Sequence, residues 1–118
     1  MTQEEIRNLA EEWISAWNAH DLDAIMSHYD EAVELTSPVA AQLLRIPCGK
    51  VSGKANVSAY FQRGLEAYPE LYFDLKDVLA GLNTLVLYYA NQKARVRQNS
   101  MELAANGKVK RVFAHYSV

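Results

Sequence analysis

The chain has 118 residues, half of them hydrophobic and 22% charged, and carries a net charge of −2. That length predicts one domain, residues 1–118, with enough chain for one real core. The weakly acidic balance leaves no basic face for the phosphates of a nucleic acid. Cys48 is the only cysteine, which excludes an internal disulfide and a cysteine-built metal site. The three histidines lack metal-ligand spacing, so neither metal nor cofactor is expected. No apolar run approaches the roughly 20 residues that cross a bilayer. The polar, acidic start does not read as a signal peptide. The expectation is a cytoplasmic protein without membrane or nucleic-acid partners.

The first helix opens at Thr2, with Glu5 three residues later as a capping box. Ile6, Leu9, Ala10, Trp13, Ile14 and Trp17 recur at three- and four-residue spacing, an apolar stripe with two indoles one turn apart. The helix should end near Asn18-Ala19-His20. Asp21 then caps a second helix with Leu22, Ile25, Met26 and Tyr29 on its inner face. Val33 to Thr36 alternates as a short strand. Ser37-Pro38 has the form of an N-cap followed by Pro at the first helical position, and predicts a short helical lid ending before Pro47. Cys48 to Gly53 returns as a turn and a brief extended piece.

Lys54 to Ala67 is read as a third helix, with Val57, Tyr60, Phe61, Leu65 and Tyr68 facing in. Gly64 inside it is read as a mark of close packing. The remainder reads as sheet. Leu71, Phe73 and Leu75 alternate with polar residues until Asp77 breaks the parity, which predicts a bulge. Thr84 to Ala90 is apolar on both faces, the pattern of a central strand covered on both sides. Arg95 to Leu103 and Val109 to Val118 form a last hairpin turned at Asn106-Gly107. Helices gathered on one side of an antiparallel sheet make an α+β fold. A twisted sheet around a long helix leaves a cone with an open end, a natural place for a small molecule.

In this order, W-N-A-H-D-L-D-A-I at 17–25, V-E-L-T-S-P at 33–38, S-G-K-A at 52–55 and A-Y-F-Q-R-G-L at 59–65 resemble the SnoaL-like branch of the nuclear transport factor 2-like fold. The resemblance continues through Pro69 to Phe73, D-V-L-A-G at 77–81, N-G-K-V at 106–109 and A-H-Y at 114–116. It implies a cystatin-like cone: three helices packed on a curved antiparallel sheet. The chain is also distantly similar to the ketosteroid isomerases, which use an Asp base with a Tyr and a protonated Asp at the enolate oxygen. Matched by position, the Tyr acid falls on Trp13, the base on Ser37 and the protonated Asp on Asn99. Two supporting tyrosines fall on Tyr29 and Phe61. The base is therefore missing, while a donor or two and an aromatic shell remain.

The site expected from this reading is lined by Trp13, Trp17, Tyr29, Ser37, Phe61, Tyr88, Asn99 and Tyr116. Trp17 reads first as core and Ser37 first as a helix cap, while for Trp13 core and ligand wall stand about even. Asn99 shares strand parity with Met101 and Leu103, so it should face inward and need a partner. Arg95 and Arg97 share that parity too, but at the sheet edge they are read as solvated. Val109, Phe113 and His115 should lie on the outer face. The ligand expected is a small, mostly apolar molecule, and any activity would be isomerase- or lyase-like, with Asn99 and Trp13 as donors. The competing expectation is a non-catalytic interaction module, a homodimer through the outer sheet face.

Overall fold

The structure is a computed structural model describing all 118 residues, Met1–Val118. Helix α1 (Gln3–Asn18) begins at the expected box: the Thr2 hydroxyl accepts from the Glu5 N–H at 3.1 Å, and the Glu5 carboxylate accepts from the Thr2 N–H at 2.9 Å. Two of the N–H groups that a helix start leaves orphaned are thereby satisfied. Of the stripe, Ile6, Leu9, Ala10, Trp13 and Trp17 are buried and Ile14 is half-buried.

Helix α1 stops where His20 adopts a left-handed conformation, φ 54°. Asp21 then caps α2 (Leu22–Met26), its carboxylate accepting from the Ala24 N–H at 3.2 Å. The corner between them also grips the far side of the molecule. The Asn18 amide donates to the Phe73 carbonyl at 2.9 Å and accepts from the Phe73 N–H at 2.7 Å. The His20 Nε2 lies 2.8 Å from the Leu71 carbonyl. Residues 71–73 were expected to belong to a strand. Their backbone groups instead pair with these side chains, and the strand begins only at Asp74.

Tyr29 opens strand β1 (Tyr29–Thr36) rather than extending the face of α2, because α2 ends at Met26. Helix α3 (Pro38–Leu43) is the expected lid, followed by β2 (Lys50–Ser52) and α4 (Lys54–Ala67). Val57, Tyr60, Phe61 and Leu65 of α4 are buried, but Tyr68 leaves the helical path as the C-cap and is exposed. Strands β3 (Asp74–Ala80), β4 (Thr84–Ala90), β5 (Val96–Leu103) and β6 (Val109–Tyr116) complete the fold. The three expected helices and the helical lid make four in all. No helix is long and apolar enough to cross a membrane.

The six strands run in the order β2-β1-β6-β5-β4-β3. Every neighbouring pair is antiparallel except β1 and β6, which are parallel. The sheet is therefore mixed where a purely antiparallel one was expected. Parallel neighbours need a long connection, and nearly all the intervening chain supplies it. Besides a register shift between Tyr29 and Glu34 on the β1–β6 ladder, two bulges set which side chains face in. One falls between Leu75 and Asp77, as expected. The other, between Glu102 and Leu103 on the β6 ladder, turns Val109 inward to full burial and leaves Phe113 outside at 42% exposure. Val109 is thus a core residue, not an outer one. Strand β4 lies between β5 and β3, next to the edge rather than central; its Leu85, Leu87, Tyr89 face is buried, while on the other face only Ala90 is, with Val86 half-buried and Tyr88 exposed.

Asn18→Ala should cost about 2 kcal/mol, the scale of leaving two backbone groups without their partners, read as a lowered urea midpoint at unchanged m-value. His28, half-buried after α2, has its pKa held below its ordinary 6.5 by burial, against Glu12 and with Lys108. The unfolded chain therefore takes up a proton more readily than the folded one. Stability is full above the unfolded pKa and falls as pH drops through it toward the folded value. Urea titrations at about pH 7 and about pH 5 should show this loss, and His28→Gln should flatten it.

Candidate functional site

The concave face of the sheet closes against α1 and α4 around a cavity of about 550 Å³. Seven of the eight residues expected from sequence line it: Trp13, Trp17, Tyr29, Ser37, Phe61, Asn99 and Tyr116. Tyr88 does not. It alternates with Leu87 and Tyr89, so it points to the outer face at 40% exposure while Tyr89 takes the inner position. Tyr60, Phe73 and Tyr89 also line the cavity. Tyr60 was open to helix parity and Phe73 to the alternation of Leu71, Phe73 and Leu75, whereas Tyr89 belongs to a strand apolar on both faces.

The wall is a continuous aromatic array. The Trp13 ring stacks on Phe73 at 5.8 Å with 13° between planes, and meets Tyr89 edge-on at 5.5 Å. Trp17 meets Phe61 edge-on at 4.8 Å, and Phe61 meets Tyr29 at 5.5 Å. Both tryptophans are buried, so each is core on one side and wall on the other. Gly64 lines the cavity too, and a Cβ there would meet nothing within 4 Å. Its role is open space rather than close packing.

The polar groups divide into satisfied and orphaned. The Trp13 Nε1 donates to the Tyr29 hydroxyl at 2.9 Å. That occupies the one hydrogen bond an indole can give, so Trp13 is not a free donor to a ligand as expected. Tyr29 accepts this bond and keeps its own proton to offer. Two buried atoms have no partner: the Trp17 Nε1 and the Asn99 Oδ1.

Ser37 combines both roles weighed for it. Its hydroxyl accepts from the Val39 and Ala40 N–H groups at 3.1 and 3.4 Å, capping α3. The same oxygen lies 3.3 Å from the Tyr116 hydroxyl. With N–H groups on its lone pairs, the Ser37 proton is the one left to donate to Tyr116. Gly49 fixes Ser37 from behind. The Ser37 N–H donates to the Gly49 carbonyl at 2.9 Å, and a Cβ at Gly49 (φ +64°) would fall 2.5 Å from the Ser37 carbonyl oxygen.

Burial raises the pKa of four tyrosines in this wall, Tyr29, Tyr60, Tyr89 and Tyr116. Tyr60 is pushed up to about 12, with the Ser37 hydroxyl opposing, and Tyr29, Tyr89 and Tyr116 are also raised. All remain protonated near neutral pH, as hydrogen-bonding groups rather than bases. The lining contains no Asp, His or Cys, and its one carboxylate, Glu70, is exposed. No group of three or more His, Cys, Asp or Glu is placed to hold a metal ion.

Lys93, Arg95 and Arg97 also line the cavity. Arg95 and Arg97 are therefore part of its wall, not simply solvated at an edge. The Arg97 guanidinium sits 4.7 Å over the Tyr116 ring. None of the three cations makes an ion pair.

The sequence model of the SnoaL-like domain matches residues 10–117. The chain belongs to this SnoaL-like family. A SnoaL-like protein of unknown function from Burkholderia thailandensis is 36% identical, covering 100% of this chain and 99% of its own, with a TM-score of 0.93. A candidate ketosteroid isomerase from Kribbella flavida has a TM-score of 0.77 at 18% identity, over 98% of this chain and 79% of that one. TerC, co-crystallised with polyporic acid, has a TM-score of 0.76 at 12% identity, over 94% and 90%. The last two share the fold alone. No curated protein sequence matches the SnoaL-like chain.

Ser37→Ala should cost the SnoaL-like domain about 1 kcal/mol, the usual value of a lost N-cap. Gly49→Ala should cost more, because a left-handed backbone and a clash with Ser37 add to each other. Thermal melts of the two variants, read beside tyrosine fluorescence for the loosened Tyr116, check this order.

Proposed function

We propose that this SnoaL-like domain binds a compact, mostly apolar organic molecule in its cone and performs no proton abstraction of the ketosteroid isomerase kind. The observation that carries the reading is the cavity itself: about 550 Å³, aromatic-walled, with two unpartnered polar atoms among its buried lining side chains. That volume falls in the range of small-molecule sites, and the mixture of apolar wall and few polar groups is their usual composition. Ser37 stands where the resemblance puts a base, and a hydroxyl without a partner base does not take a proton near neutral pH. Any chemistry would be isomerase- or lyase-like and would proceed by polarising the ligand through Asn99 and Tyr29. TerC and the Kribbella flavida protein show that the same fold is associated elsewhere with an organic ligand and with an isomerase name. The free, exposed Cys48 suits a reducing compartment, and cytoplasmic residence is part of this reading.

A second reading, a homodimeric interaction module, is favoured by the outer sheet face. Leu79, Val86 and Phe113 fall in one row across β3, β4, β5 and β6, interrupted only by Ser100, and Tyr88 stands beside them. Leu79, Tyr88 and Phe113 are exposed large side chains, enough to form the apolar centre of an interface.

A thermal-shift screen of aromatic and alicyclic carbonyl and hydroxyl compounds should find stabilisers. Finding none would leave the interaction module as the better account. Light scattering should show a dimer that Phe113→Lys dissociates, and a monomer at high concentration would remove that second reading. Asp is itself a good N-cap, so Ser37→Asp keeps α3 while placing a carboxylate at the missing base. It should give slow isomerisation of a β,γ-unsaturated ketone that the native chain does not catalyse.

A further inference from the structure

One strand carries the axis of the cone. Asn99, Arg97 and Arg95 are alternate residues at and before the start of β5, and all three line the cavity. Successive members are about 7 Å apart along the strand. Asn99 lies deepest, at 7% exposure, Arg97 is half-buried and Arg95 is exposed at the mouth.

The floor lacks a donor. Asn99 Oδ1 is buried without a partner. The residues level with it on the neighbouring strands are Leu87 and Ala114. Neither side chain can donate a hydrogen bond, so the sheet cannot satisfy this oxygen. Buried polar groups almost always have partners, and the Asn99 side chain is part of the cavity lining. An acceptor at that depth calls for a hydroxyl rather than a carbonyl.

The mouth lacks an anion. Lys93, Arg95 and Arg97 gather there, opposed only by Glu70, in a chain whose net charge is −2. A cleft with one sign of charge and low-dielectric walls concentrates ligands of the other sign. Arg97 is also oriented: it lies over the Tyr116 ring, and Tyr116 is held by the Ser37 hydroxyl that caps α3. A guanidinium fixed in this way suits the planar fork of a carboxylate. Between floor and mouth stand the faces and edges of Trp13, Trp17 and Tyr89.

We propose that the ligand of this cone is an amphipathic acid: a planar ring system of about two fused rings, with a hydroxyl donating to Asn99 and a carboxylate at the opposite end held by Arg97 and its neighbouring cations. This deepens the ligand-binding reading above and rests on it.

The test is calorimetric titration of the whole chain with four naphthalene probes. The first is a hydroxynaphthoate with its two groups at opposite ends of the rings. The others are its methyl ether, the naphthoate without hydroxyl, and the naphthol without carboxylate. The full probe should bind about tenfold or more tightly than each of the others, the scale of one good polar contact. Asn99→Leu should abolish its advantage over the naphthoate and the ether. Arg97→Met should abolish its advantage over the naphthol, and added salt should shrink that advantage. The comparison of probes on the native chain needs no variant to fold.

If the naphthol binds as well as the full probe, the acid proposal is overturned while the cone remains a ligand site. If the methyl ether or a keto analogue binds as well as the hydroxyl compound, the donor assignment at Asn99 is overturned. If no probe binds, the proposal falls, and an empty result in the broader screen then removes the ligand-binding reading with it.

Discussion

Two hydrogen bonds between the Asn18 side chain and the Phe73 backbone hold this structure in its shape. They join the end of the long helix to a segment that has no strand beside it. Without them the N–H and C=O of Phe73 would need water. With them, Phe73 lies flat on Trp13, and Trp13 can hand its N–H to Tyr29. The cavity wall is thus assembled from a helix, a loop and two strands by one side chain at a corner. Burial of the aromatic faces supplies most of the stabilisation, but it is non-directional. The amide supplies the direction.

Much of this was legible because it is local. The capping box at Thr2 and Glu5, the caps at Asp21 and Ser37, and the bounds of α4 depend on residues within a turn of each other. The inward direction of Asn99 followed from strand parity alone. What escaped depends on partners distant in sequence. The parallel pairing of β1 with β6 leaves no mark in either strand. The bulge before Leu103 that turns Val109 inward is set by the partner ladder, not by the run of residues around it. Tyr88 and Tyr89 are adjacent in a strand that is apolar on both faces, so periodicity could not say which of them faces the cavity. The cationic mouth was misread for a similar reason: Arg95 precedes the strand, and only the tertiary path of the chain brings it over the opening.

The site differs from the ketosteroid isomerases that it resembles in the character of its polar groups. Those enzymes combine a carboxylate base with acids strong enough to hold an enolate. Here the carboxylates are absent from the interior, and burial holds Tyr29, Tyr60, Tyr89 and Tyr116 in their protonated form near neutral pH. The result is an aromatic-walled cavity with hydrogen-bonding groups inside and cations at its mouth, but no interior carboxylate. The aromatic wall and the position matched to the base sit on different elements, so the residue at 37 can differ while the wall stays as it is.

The double duty of the Ser37 oxygen has a consequence for how such a domain can drift. Because that one atom starts α3 and also steadies Tyr116, position 37 is confined to side chains able to end a strand and begin a helix. The acceptable set is Ser, Thr, Asp and Asn. Within that narrow alphabet lies an acid, so genetic wandering that never unfolds the lid still passes through a carboxylate facing the cavity. A lineage carrying this fold remains a single substitution from acid–base chemistry, whichever side of that step it now occupies.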